Sequence, residues 1–258
     1  MSNLMFTNAI VRTPGRSITE GLSNSITLGL PNYEQAIIQH QSYTDTLTKC
    51  GLDVHVLEPC EEYPDSTFVE DVALITPNCA IITRPGAPSR RGEVHEIEFV
   101  LKQRFNNIEA IEAPGTIDGG DIMMVGDHYY IGLSERTNLE GAKQIIKILK
   151  KYDMSGSTIS LKKVLHLKTS LSYLEKNNLV VSGEFINDSS FGQYNSIEIP
   201  EKESYAANCI WVNGSVIIPL GYPKTKQRIM NAGYTVIETD VSEFEKLDGG
   251  ISCLSLRY

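Results

Sequence analysis

Long hydrophobic runs are missing from this chain. None of its apolar stretches approaches the roughly 20 residues that a membrane-spanning helix needs. The stretch from Met1 to Arg16 lacks the apolar segment and cleavage pattern of a signal peptide, so a cytoplasmic location is expected. Positive charge is also scarce: Lys and Arg number 23 against 32 Asp and Glu, a formal net charge of -9. A nucleic-acid binder needs a basic face to neutralise phosphates, and so does a protein that docks on an anionic membrane. Neither partner is expected, and the acidic balance suits a cationic small molecule. Cysteines with metal-ligand spacing are absent. The five present, Cys50, Cys60, Cys79, Cys209 and Cys253, are odd in number and contain no CxxC pair. They read as reduced thiols of a reducing compartment. No linker, charge block or low-complexity tract marks a boundary, so residues 1–258 read as a single domain. With 41% hydrophobic residues, a chain of 258 can build a sizeable core.

What is present is a repeat. Val72–Ile75 is followed by a turn at Pro77-Asn78 and then Cys79–Thr83. The same layout recurs in Ile122–Val125 with His128–Ile131, in Leu171–Leu174 with Leu179–Val181, and in Asn208–Val212 with Ser215–Ile218. Each reads as a tight hairpin, and Asn213-Gly214 is the strongest turn signal. A fifth unit would have to pair Phe6–Val11 with Ile251–Leu256, from opposite ends of the sequence. Helical stretches lie between: Asn32–Lys49, with Ala36, His40, Tyr43 and Leu47 on one face, then Gly92–Phe105, Asn138–Tyr152 and Lys224–Asn231. Hairpin plus helix, repeated about five times, predicts a pseudo-symmetric α/β ring with several strand ends at its centre.

Five clusters break the apolar patterns with charge or glycine: Pro64–Asp71, Arg84–Glu93, Ala113–Asp121, Val164–Lys168 and Leu247–Cys253. Each has an ordinary explanation. Asp-Gly-Gly is usually a turn, Glu70-Asp71 a solvated strand end, His166 a core histidine and Cys253 a small buried hydrophobe. Adjacent strand residues point to opposite sides, so one of Glu70 and Asp71 at most would face a site squarely. Two copies of Asp-Gly-Gly at strand mouths shift the balance, because glycine lets backbone approach a ligand closely. The combination is more specific than any member. Asp71 and Asp118 suit a planar cation, and a guanidinium offers N–H donors that match carboxylates. Arg90 and Arg136 suit a carboxylate. Cys253 and His166 supply a nucleophile and a proton shuttle. Such a set fits an arginine-like substrate attacked at its guanidinium carbon.

At these residues the chain resembles the dimethylarginine dimethylaminohydrolase family of the guanidine-modifying, pentein-fold superfamily. The matching stretches are Pro64–Asp71, Arg84–Arg91, Asp118–Asp121, Gly132–Asn138, Val164–Lys168 and Asp248–Cys253, in family order through nearly the whole sequence. The resemblance implies a five-fold pseudo-symmetric α/β propeller of ββαβ units that forms one catalytic domain. It implies hydrolysis of N-omega-methylated arginines to citrulline and an alkylamine through a covalent thiouronium on Cys253. His166 would be the general acid and base, and Asp118 would orient it. Asp71 would hold the guanidinium. Asp65 would take the α-amino group, with the backbone carbonyls of Leu22 and Leu247. Arg90 and Arg136 would grip the α-carboxylate, Phe68 would line the alkyl stem, and Glu70 falls at a family binding position. The loop Ser17–Leu22 would be a lid. No metal or organic cofactor is implied, zinc being expected only as an inhibitor at Cys253 and His166; a homodimer is the implied assembly. Competing readings are an arginine deiminase or amidinotransferase, which usually carry added segments, a catalytically silent arginine-binding protein of the same fold, and a structural or partner-binding ring.

Overall fold

The structure, a computed structural model, describes residues 5–24 and 26–258. Residues 1–4 of the stretch read for a signal peptide lie outside it. The chain forms two compact units. One holds the described residues up to Val69 together with Ile199–Tyr258, and the other is Glu70–Glu198. Both repeat one pattern: an antiparallel strand pair, then a crossover to a third strand parallel to the second.

In the first unit β1 (Asn8–Arg12) lies parallel to β2 (Asp53–Leu57), with α1 (Tyr33–Lys49) as the crossover. Asn32 starts α1, its side chain accepting the Gln35 N–H at 3.0 Å. Ala36, His40, Tyr43 and Leu47 are all buried, as their spacing predicts.

The second unit holds three repeats. β3 (Ala73–Ile75) pairs with β4 (Ala80–Ile82), and α2 (Val94–Lys102) leads to β5 (Ile108–Ala110). β6 (Ile122–Val125) pairs with β7 (His128–Leu133), and α3 (Leu139–Lys151) leads to β8 (Ser155–Ser160). Ala142, Ile145 and Leu149 of α3 are wholly buried in a core with Ile117 and Ile131. β9 (Leu171–Tyr173) pairs with β10 (Asn178–Val181), and β11 (Asn195–Glu198) lies parallel to β10. This third crossover has no α-helix. Two 3-10 turns, Gly183–Phe185 and Ser189–Phe191, replace it and bury Phe185 and Phe191.

The chain then returns to the first unit. β12 (Ile210–Val212) and β13 (Ser215–Pro219) form the hairpin at Asn213-Gly214, whose φ values of 48° and 96° are those of a tight primed turn. α4 (Pro223–Asn231) leads to β14 (Thr235–Thr239), parallel to β13. After the short α5 (Ser242–Glu245), β15 (Leu256–Arg257) pairs antiparallel with β1, placing Ile10 opposite Leu256. The fifth hairpin is therefore made from opposite ends of the sequence, and five three-stranded sheets repeat one pattern, four of them with an α-helix in the crossover.

Two segments differ from the sequence reading, and both carry candidate residues. Glu70 and Asp71 are not at a strand end. They lie in a 3-10 turn, Val69–Val72, and both are buried. Strand alternation does not govern them, so the argument that only one can face a site lapses. Cys253 is not on a strand either. It sits in the 3-10 turn Ser252–Leu254, closed by the Cys253 N–H on the Gly250 carbonyl at 3.2 Å. The Asn208 side chain takes the Ser252 N–H at 2.8 Å, removing it from any strand ladder.

Candidate active site

Unit Glu70–Glu198 gathers the charged candidates. The Asp71 carboxylate accepts the Gly120 N–H at 2.9 Å and the Arg90 guanidinium at 2.6 Å. Its main-chain carbonyl takes the Thr83 hydroxyl, which fixes the turn. Burial opposes the Asp71 charge, but the Arg90 and His166 charges prevail and hold its pKa down to about 2. The Asp118 carboxylate is shared: one oxygen accepts the Gly86 N–H at 2.8 Å, the other meets His166 Nε2 at 3.1 Å. Burial alone would favour neutral His166. The negative charges of Asp71, Asp121 and Asp118, with the Asp118 hydrogen bond, raise its pKa to about 9. Free His166 is thus an imidazolium at neutral pH, ready to give a proton. Donor atoms of Asp71, Asp118 and His166 all lie within 4.8 Å of one another, a cluster suited to a cation.

The glycines between them are needed for close packing. A Cβ on Gly120 would sit 2.9 Å from His166 Nδ1, and one on Gly119 would sit 2.0 Å from the Glu70 carbonyl oxygen. Asp-Gly-Gly here admits the protein's own groups, where the sequence suggested approach to a ligand.

Arg90 differs from expectation. It is buried, its Nε and Nη2 form a bidentate pair with Glu93 at 2.9 and 2.8 Å, and Nη1 is on Asp71. The fork expected to read a substrate carboxylate is occupied by carboxylates of the protein. Arg136 is only partly buried, and its guanidinium has no hydrogen-bond or ion-pair partner among the described residues. Glu70 is held by Lys168 at 2.7 Å.

The first unit holds Cys253, the candidate nucleophile. Cys253 is 8% exposed, and its Sγ accepts the Gly250 N–H at 3.4 Å. Asn208 clamps the turn, accepting from Ser252 N and donating to Ser252 Oγ at 3.1 Å. A Cβ on Gly250 would meet the Asn208 amide at 2.5 Å, and one on Gly249 would meet the Phe68 ring at 2.2 Å. Phe68 stands edge-on to Phe244, 6.2 Å between centroids. Asp65 is buried and accepts the Leu22 N–H at 3.0 Å. Leu22 is 40% exposed, in a loop held at one end by Glu61, which takes the Arg16 and Ser17 N–H groups, and at the other by Asp248, which takes that of Asn24. Leu247 is buried beside Gly21 in the same unit.

Each unit thus assembles its own share of the predicted residues. Sequence reasoning gave no task to Asn208, Ser134 or Thr137, although each lies in a stretch it singled out. Polar residues beside a strand or turn carry no composition signal, and only their hydrogen bonds reveal them. Asp121 was quoted within a motif but given no task.

The family described as N,N dimethylarginine dimethylhydrolase, eukaryotic, matches residues 29–256. The N(G),N(G)-dimethylarginine dimethylaminohydrolase of Pseudomonas aeruginosa is 58% identical over 98% of this chain and 100% of its own. A solved structure of that enzyme from P. aeruginosa, a cysteine-to-serine mutant complexed with citrulline, has a TM-score of 0.97 at 56% identity, covering 99% of this chain and 100% of that one. A histidine-to-glycine dimethylarginine dimethylaminohydrolase, solved as an adduct with S-methyl-L-thiocitrulline, also has a TM-score of 0.97 at 56% identity, covering 98% and 100%.

Proposed function

Since this chain belongs to the dimethylarginine dimethylaminohydrolase family, we propose that it hydrolyses N-omega-methylated arginines to citrulline and an alkylamine, with Cys253 as nucleophile. The observation that carries the reading is the trio of Asp71, Asp118 and His166, which combines a holder for a planar cation with an oriented imidazolium.

The Cys253 thiolate adds to the guanidinium carbon. Because that carbon's charge is delocalised, it is a poor electrophile, and the carboxylate of Asp71 fixes its orientation. His166, protonated at the outset, gives its proton to the departing dimethylamine or methylamine and leaves a thiouronium on sulfur. Now neutral, it takes a proton from water, which adds to the thiouronium carbon; the sulfur leaves and citrulline forms. Asp118 holds the imidazole in place throughout. Arg136 reads the α-carboxylate, and Arg90 acts first by neutralising Asp71 and Glu93. Asp65, with the carbonyls of Leu22 and Leu247, takes the α-amino group, and Phe68 lies along the alkyl stem. Glu70, paired with Lys168, supports the Asp71 turn. The substrate is a small molecule, and nothing in the reaction calls for a metal or cofactor.

We read residues 1–258 as a single catalytic domain, as the family resemblance implies. We place the activity in the cytoplasm, which suits five free cysteines; no helix among the described residues is long and apolar enough to cross a membrane. A homodimer follows the family resemblance.

The test is citrulline release from dimethylarginine and from arginine. Cys253→Ser should stay folded and lose about a thousandfold or more in kcat, because a hydroxyl is far less ionised than a thiol. Serine at Cys50, Cys60, Cys79 or Cys209 should leave substantial activity. Near-normal turnover by Cys253→Ser would end the assignment.

A further inference from the structure

Asp121 is wholly buried and takes no direct part in the chemistry above. One of its oxygens accepts the Leu167 N–H, at the residue after His166, at 3.0 Å. The other accepts the Ser134 hydroxyl at 2.7 Å. Ser134 Oγ in turn accepts the N–H groups of Arg136 and Thr137, at 3.0 and 3.1 Å, so it closes the turn that presents Arg136. The Thr137 hydroxyl accepts the Asp118 N–H at 3.2 Å. A second strap runs beside it: Gly86 gives its N–H to Asp118, and a Cβ there would fall 2.3 Å from the Arg136 carbonyl oxygen. The loop therefore returns to the residue that holds His166. Every member lies within Glu70–Glu198.

We propose that Asp121, Ser134 and Thr137 form a fixed bridge between the turn of Arg136 and the His166–Asp118 pair, which makes Asp121 and Ser134 positioning residues that link recognition of the substrate's carboxylate to placement of the proton-transfer group. The proposal rests on the functional reading of Arg136 and His166 given above. Its physical basis is rigidity. Buried hydrogen bonds to a carboxylate are strong, and a network whose members are all satisfied holds its parts at fixed separation. A carboxylate bound at Arg136 then finds the histidine already in register, and a turn that loosens at Ser134 loses both the grip and the register.

The experiment compares the parent, Ser134→Ala, Ser134→Thr, Asp121→Asn and the double variant Ser134→Ala/Asp121→Asn. Substrates are dimethylarginine and methylagmatine, which has the guanidinium and no carboxylate. Ser134→Ala should raise KM for dimethylarginine and lower kcat, each by about tenfold, as expected for a lost buried hydrogen bond to a charged group. For methylagmatine only the kcat loss should appear. Ser134→Thr, which keeps the hydroxyl, should recover most of both. The double variant should lose little more than the worse single one, because both break the same bridge. Equal losses on the two substrates, or losses that multiply, would show separate structural roles and overturn the proposal. Imidazole NMR without substrate gives an independent readout. Ser134→Ala should shift the His166 signals, Ser134→Thr should restore them, and unmoved signals would sink the bridge. If the parent releases no citrulline, the functional reading falls while the bridge is still judged by those signals.

Discussion

His166 shows how three carboxylates decide one residue's behaviour. Burial favours its neutral form, and Asp71, Asp121 and Asp118 outweigh burial and hold it protonated up to about 9. Its pKa in the fold lies above the ordinary value near 6.5, so the charged form is the one folding favours. That stabilisation is complete below about pH 6.5 and is lost as the pH rises through about 9. Asp71 has the opposite sign: held near 2, it stabilises above its ordinary 3.8 and loses its contribution as the pH falls through about 2. Asp118→Asn removes one charge and leaves a single acceptor oxygen where Gly86 N–H and His166 Nε2 now have one each. It should therefore lower the His166 midpoint in an imidazole NMR titration. Its stability deficit against the parent in urea should be largest below about pH 6.5 and fade above about 9. A midpoint equal to the parent's would strip Asp118 of its orienting role. The types and order of these residues were legible in the sequence. The Arg90–Glu93 pair was not, because nothing in Arg90-Arg91-Gly-Glu93 says which arginine turns inward.

The hairpins were readable because turn chemistry and apolar alternation agree, as at Asn213-Gly214, and α1 and α3 because Asn32 and Asn138 cap apolar faces. The turn of Cys253 was misread as strand because Ile251, Leu254 and Leu256 have strand-like character, while the group that wins is 44 positions from Ser252. Asn208 makes two hydrogen bonds to Ser252 from within the fold, and local sequence is silent about it. In the third repeat the sequence marked Leu179–Val181 and no helix after it, and the structure has only the turns at Phe185 and Phe191 there. The clamp at Asn208 makes a sharp prediction. Asn208→Ala takes two buried hydrogen bonds from Ser252, at a cost of about 1–3 kcal/mol in urea unfolding. Because the amide holds Ser252, the neighbour of Cys253, kcat should fall while KM for dimethylarginine moves little. A variant that loses stability and keeps its kcat would show that Asn208 holds the fold and leaves the thiol's placement to other groups.

At the scale of the whole molecule, one repeat accounts for five sheets, and its exception is instructive. Four repeats begin with a hairpin joined by a short turn, whereas the fifth joins β15 to β1 by hydrogen bonds alone. The Tyr258 carbonyl takes the N–H groups of Thr7 and Asn8 at 2.9 and 2.8 Å, so the strands meet where a turn would stand. A turn of about four glycine-rich residues from Tyr258 back to Met5 should therefore complete an ordinary hairpin. The place to reopen the chain is the turn Glu175-Lys176-Asn177, whose φ values of 66°, 49° and 64° put three side-chain-bearing residues in the left-handed region. Such residues cost energy there, so cutting between Lys176 and Asn177 releases strain while giving up local bonds such as that of Asn178 N to Glu175 O. The loop closed and the loop opened are both short, and closure entropy changes by only about 0.6 kcal/mol per doubling of length. The permuted protein should melt within about 5 °C of the parent and release citrulline at a rate within about tenfold of it. Removing Leu256–Tyr258 from the unpermuted protein should do far more harm, because it deletes the strand beside β1 and the buried Leu256. A permuted chain that fails to fold, beside a truncated one that folds and works, would show that the two ends are not the fifth hairpin's equivalent and that the repeat is a likeness of sequence without mechanical meaning.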